Sequence, residues 1–114
     1  MENKTIYIAT CPPYTYSQIT CEIDDYQKKL KSHPNIYFLR ETITHSLEGR
    51  DIELLTISSY KGIEERDQSK KPRICSEALH FKNKKIMLLT ARIHPGEVQG
   101  SYMLKGILTK ILNE

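Results

Sequence analysis

From Lys85 to Ala91 the chain reads Lys-Ile-Met-Leu-Leu-Thr-Ala, an apolar run held between polar flanks. Such a run is typical of a central strand covered on both faces. Arg92-Ile93-His94-Pro95-Gly96-Glu97 follow at once. A helix then comes next, with Leu104, Ile107, Leu108, Ile111 and Leu112 expected on one face. A buried strand handing over to an amphipathic helix is the unit from which layered α/β folds are made.

The upstream elements extend this pattern. Thr5 to Ala9 is β-branched and aromatic and predicts a short strand, broken by Cys11-Pro12-Pro13 because proline cannot donate to a sheet ladder. Thr15 and Gln18 make a capping-box pair. Tyr16, Ile19, Ile23, Tyr26 and Leu30 then recur at helical spacing, a face on which Tyr14, Tyr16 and Tyr26 read as packing residues. Ser32-His33-Pro34-Asn35 ends that helix, since the residue before proline is pushed out of helical geometry. Ile36 to Thr44 and Asp51 to Ser58 predict two antiparallel strands, joined through Leu47-Glu48-Gly49-Arg50, where Gly49 can take positive φ. From Ser59 to about Lys82 the pattern dissolves into mixed charge, including Lys61, Glu64, Glu65, Arg66, Asp67, Lys70, Lys71 and Arg73. That stretch reads as a solvated loop, with Ile74, Ala78 and Leu79 as a brief structured interval. The order of elements predicts an α/β layer architecture around a mixed sheet.

Composition removes several function classes. The 114 residues are 39% apolar and 27% charged, with no Trp and a net charge of +3. So even a balance argues against a nucleic-acid partner, whose footprint gathers Lys and Arg on one face. Cys11, Cys21 and Cys75 are three in number and lack Cys-x-x-Cys spacing. Free thiols fit a reducing compartment. Neither a signal core nor a membrane-length apolar run is present. The expectation is a cytoplasmic protein with no nucleic-acid and no membrane partner.

Chemistry concentrates at His94 and Glu97, three residues apart where the predicted strand meets the helix. Ligands in α/β sheets collect at such strand ends. Pro95 keeps His94 out of helical geometry and Gly96 lets the chain turn. Glu97 is then expected in the first helical turn, where the dipole favours a carboxylate. The two side chains can converge on one point, and imidazole nitrogen and carboxylate oxygen both ligate zinc at about 2.0–2.2 Å. The tetrapeptide alone also fits a polar loop in which Glu97 caps amides and His94 bonds a backbone carbonyl.

Outward from His94-Pro95-Gly96-Glu97 the chain resembles the zinc carboxypeptidases, most closely their cytosolic branch. Thr90 to Glu97 is similar to that branch's signature strand and turn, and Met103-Leu104-Lys105-Gly106-Ile107-Leu108 to the helix after it. Pro13-Tyr14-Thr15-Tyr16 resembles the entry to the first catalytic-domain helix. Ser46-Leu47-Glu48-Gly49-Arg50 with Leu54-Leu55-Thr56-Ile57 resembles the intervening hairpin. The resemblance implies a partial zinc-carboxypeptidase fold with an incomplete mixed β-sheet and flanking helices. It further implies that residues 1–10 end a preceding β domain or leader strand, and that residues 11–114 are the truncated N-terminal part of the catalytic domain.

The same resemblance implies a Zn2+ cofactor with His94 and Glu97 as two of its three protein ligands. In the family the third ligand, the general-base Glu and the carboxylate-binding Arg lie downstream, and His33, His45 and His80 match none of them. Arg92, two residues before His94, reads first as a surface or supporting residue, with a substrate contact as the alternative. The expected function is a fragment of a metallocarboxypeptidase, inactive alone. Its substrate would be a protein or peptide C-terminus, with tubulin glutamates implied. The alternatives are a non-catalytic truncated paralogue acting as a protein-binding module, or a phosphate or nucleic-acid binder using Lys70, Lys71, Arg73 and the N-terminus of the last helix.

Overall fold

A computed structural model describes residues 4–64 and 78–113. Glu65, Arg66, Asp67, Lys70, Lys71, Arg73, Ile74 and Cys75 lie outside the described residues. The chain divides into two compact units, Met1–Cys21 with Met87–Glu114, and Glu22–Ile86. It combines two helices with short antiparallel β pairs, an α/β composition.

Helix α1, Tyr16–Leu30, begins in the first unit and continues into the second. Its start is set by Thr15, whose hydroxyl accepts from the Gln18 amide at 3.1 Å, the hydroxyl half of the expected capping box. Ile23 and Leu30 of the expected apolar face are buried, Ile19 and Tyr26 are half-buried, and Tyr16 is exposed. At the other end the His33 amide donates to the Leu30 carbonyl at 3.0 Å. The His33 ring then accepts from the amides of Asn35 and Ile36 at Nδ1, at 3.3 and 3.1 Å. That imidazole is spent joining the helix to the following strand.

The second unit is organised on a hairpin. Strands β1, Ile36–His45, and β2, Asp51–Ser59, pair antiparallel from Ile36 opposite Ser59 to His45 opposite Asp51, with an irregularity between Thr42 and Thr44. In the connection the Ser46 amide donates to the Arg50 carbonyl at 2.8 Å and Gly49 takes φ +74°. Arg40 ties β1 to both neighbours. It donates from Nε to Glu53 Oε1 on β2 at 2.7 Å and from a terminal nitrogen to Asp24 Oδ1 on α1 at 2.5 Å. Burial alone would lower the arginine's pKa. The bonds to Glu53 and Asp24 outweigh it, and the guanidinium is held above its ordinary range.

Past Ser59 the charged stretch holds a second small pair, β3 (Ile63–Glu64) against β4 (His80–Phe81). Buried Tyr37 anchors this region edge-on to Phe81 at 5.2 Å and Tyr60 at 5.9 Å, and its hydroxyl accepts from the Leu79 amide at 3.2 Å. Lys84 donates to the Ser58 hydroxyl and the Ser59 carbonyl at 2.8 and 2.6 Å, with its ammonium 4.4 Å from the Phe81 ring centroid.

Helix α2, Val98–Leu112, dominates the first unit. Val98, Ser101 and Leu112 are buried and Leu104 and Leu108 half-buried, whereas Met103, Ile107 and Ile111 face solvent. The expected single apolar stripe is thus divided between two faces. Tyr14 is buried edge-on against Tyr102 at 4.8 Å, and the Tyr102 hydroxyl donates to the Pro13 carbonyl at 3.2 Å. No helix among the described residues is long and apolar enough to cross a membrane.

Two expected strands are absent. Residues 5–9 and 85–91 carry no regular structure. Ile8, Ile86, Met87 and Leu88 are 96%, 95%, 80% and 75% exposed. Strand propensity measures how well a side chain suits a pleated, half-buried surface, and it acts only through neighbouring strands and a covering layer. Among the described residues nothing pairs with either segment, and both observed strand pairs are antiparallel.

Candidate metal centre

The residues between the apolar run and α2 form a closed turn rather than an extended link. Arg92 adopts φ +62°, the left-handed region that a residue with a Cβ rarely enters. His94 and Pro95 follow, and the Glu97 amide donates to the His94 carbonyl at 3.1 Å. This brings residue 97 back over residue 94. The Gly100 amide donates in turn to the Glu97 carbonyl at 3.1 Å and starts α2.

Within that turn His94 Nδ1 lies 2.9 Å from Glu97 Oε1. The two atoms are within hydrogen-bond reach, and the imidazole tautomer sets which of them donates. Both side chains face water, His94 at 74% exposure and Glu97 at 58%. Glu97 stands at the N-cap of α2 rather than inside its first turn, and its side chain makes no capping bond. Its charge still lies at the positive end of the helix dipole.

Arg92 approaches the same turn from behind. Its Nε donates to the Pro95 carbonyl at 2.6 Å and a terminal nitrogen donates to the Tyr14 carbonyl at 2.8 Å. The sequence placed Arg92 near the pair but gave no sign of the backbone groups it binds, nor of Tyr14 and Tyr102 as the platform beside it. A lone arginine before an apolar residue carries no such signal.

The donor chemistry fits a zinc ion in part. A nitrogen and a carboxylate oxygen 2.9 Å apart can share one ion held at about 2.0–2.2 Å from each. Catalytic zinc sites take three protein ligands and keep an open position. Among the described residues no group of three metal-binding side chains exists. His33 is engaged at the end of α1, and His45 Nε2 meets Asp51 Oδ1 at 3.0 Å across the hairpin.

Comparison with known proteins gives this turn its context. The family model described as zinc carboxypeptidase matches residues 23–114, which include the turn and all of α2. Cytosolic carboxypeptidase-like protein 5 of Bos taurus is 33% identical over 95% of this chain and 14% of its own length. Cytosolic carboxypeptidase 6 of Mus musculus is 30% identical over 99% of the chain and 17% of its own length. For cytosolic carboxypeptidase 1 of Homo sapiens the identity is 32%, over 98% of the chain and 8% of that protein. The chain therefore spans less than a fifth of each of these relatives. With a family match over most of its length, the chain belongs to the zinc carboxypeptidase family.

Proposed function

We propose that this chain forms part of the catalytic domain of a zinc metallocarboxypeptidase, in which His94 and Glu97 are two of the protein ligands of the metal. The observation that supports this most is the 2.9 Å approach of Nδ1 to Oε1 at the start of a helix, in a chain of this family. His94 supplies a nitrogen donor and Glu97 supplies an oxygen donor with its negative charge. The turn that closes through the Glu97 amide keeps the two on one side of the backbone. Zinc bound in such a centre polarises the scissile carbonyl and lowers the pKa of its water.

By the resemblance to the cytosolic branch, the substrate is the C-terminus of a protein chain, with glutamates of tubulin as the specific target and the cytosol as the place of action. Two protein ligands are one short of a catalytic set, so the chain alone should bind zinc weakly and cleave nothing.

The test is titration of the full chain with Zn2+ while the imidazole resonances of its four histidines are followed by NMR. His94 should respond first, and His94→Ala or Glu97→Gln should weaken the binding. A response confined to His33, His45 or His80, or an unchanged His94 titration in Glu97→Gln, would remove the assignment.

A further inference from the structure

We propose that Arg92 is a positioning residue for the His94–Glu97 donor pair, acting by clamping the backbone between them. This rests on the pair's being a metal-donor set, and adds a residue to it.

Two independent observations carry the proposal. The first is the target of the guanidinium. Nε meets the Pro95 carbonyl at 2.6 Å, and Pro95 is the residue next to His94 inside the four-residue turn. A second arm reaches the Tyr14 carbonyl at 2.8 Å, so one rigid planar group fixes the turn to the segment before α1. Arginine suits this task because its donors form a fixed fork, and each carbonyl bonded to a charged donor is held more firmly than by a neutral one. Lysine offers a single flexible point instead.

The second observation is the backbone of Arg92 itself. A φ of +62° is unfavourable for a residue with a Cβ and persists only where the surroundings over-determine it. The two carbonyl bonds are those surroundings, together with the close packing of α2, where a Cβ at Gly100 would stand 3.6 Å from the Arg92 amide nitrogen. The far arm is anchored in turn. Tyr14 is buried against Tyr102, whose hydroxyl holds the Pro13 carbonyl. The clamp thus pulls against a fixed point.

The consequence is specific. The side chains of His94 and Glu97 face water, so the separation of their donor atoms depends on the turn's backbone. Losing the clamp should leave both donors present but let the turn open. Partners that orient metal ligands without touching the metal are typically worth 10–100-fold in affinity.

Arg92→Gly is the informative variant, because glycine enters the left-handed region freely and the whole clamping side chain is lost without adding strain at that φ. In the Zn2+ titration followed at the His94 ring, Arg92→Gly should weaken binding tenfold or more, with the far-UV helix signal unchanged. Arg92→Lys, which keeps the charge without the fork, should fall between that variant and the parent. Parental affinity in Arg92→Gly overturns the proposal, and parental affinity in Arg92→Lys overturns the requirement for the fork. A parent chain whose His94 ignores Zn2+ overturns the donor-pair reading and this one with it. A parental response that Arg92→Gly leaves intact overturns this one alone.

Discussion

Gly49 and Arg92 share the left-handed backbone region, at φ +74° and +62°, for opposite reasons. At Gly49 a Cβ would meet nothing within 4 Å, so the turn asks only for backbone freedom. Gly49→Ala should therefore lower stability by about 1–2 kcal/mol through the backbone alone. A urea unfolding curve of the hairpin chain should shift its midpoint downward without a change of slope. Gly49 was legible in the sequence, because a Gly between two β-rich runs has few other uses. Arg92 was not, since its conformation is imposed by carbonyls at Pro95 and Tyr14 that no local pattern announces. The adjacency of His94 and Glu97 lies between these cases. Proline and glycine at positions 95 and 96 predicted a turn, and the turn supplies the contact; the distance of 2.9 Å had to be seen.

Among the elements, the hairpin and the two helices were legible because their signals are local. Alternation, a capping hydroxyl and a glycine turn are each complete within a few residues. The bond network of Arg40 shows what lies beyond that range. Its guanidinium side chain is 17% exposed, while Glu53 is 11% and Asp24 44% exposed. The bridge to Glu53 therefore dominates, since solvent weakens the one to Asp24. Arg40→Met keeps the apolar stem but strands a buried carboxylate, and should cost about 1.5–3 kcal/mol in urea unfolding. Asp24→Asn should cost less than about 1 kcal/mol. The sign with pH follows from the raised pKa of Arg40. A group whose folded value lies above its unfolded value contributes fully below the unfolded value, and that contribution is lost only as pH climbs through the folded one. The difference between parent and Arg40→Met should accordingly show no loss attributable to the guanidinium through the neutral range, and should shrink only in strong alkali.

At the scale of the molecule, the segment from Lys85 to Ala91 departs from the strand its composition predicts for a physical reason. Its composition is that of a covered strand, but cover and ladder partners come from elsewhere, and none is present among the described residues. Exposed Ile86, Met87 and Leu88 should make the isolated chain prone to self-association. Met87→Lys with Leu88→Lys should raise the concentration at which it stays monomeric, as read by analytical ultracentrifugation. An unchanged monomer range would show that these side chains find cover in solution.

Order in time follows from the clamp as well. The bond from Arg92 to Tyr14 spans 78 residues and that from Tyr102 to Pro13 spans 89, whereas Arg40 reaches Glu53 across 13. Long loops close late, since their entropy must be overcome before the contact returns anything. On a ribosome Pro13 and Tyr14 wait without those partners until Tyr102 has emerged. The hairpin should thus form early, and the bend carrying His94 and Glu97, though it closes on itself locally, should be tied to Pro13 and Tyr14 only afterwards.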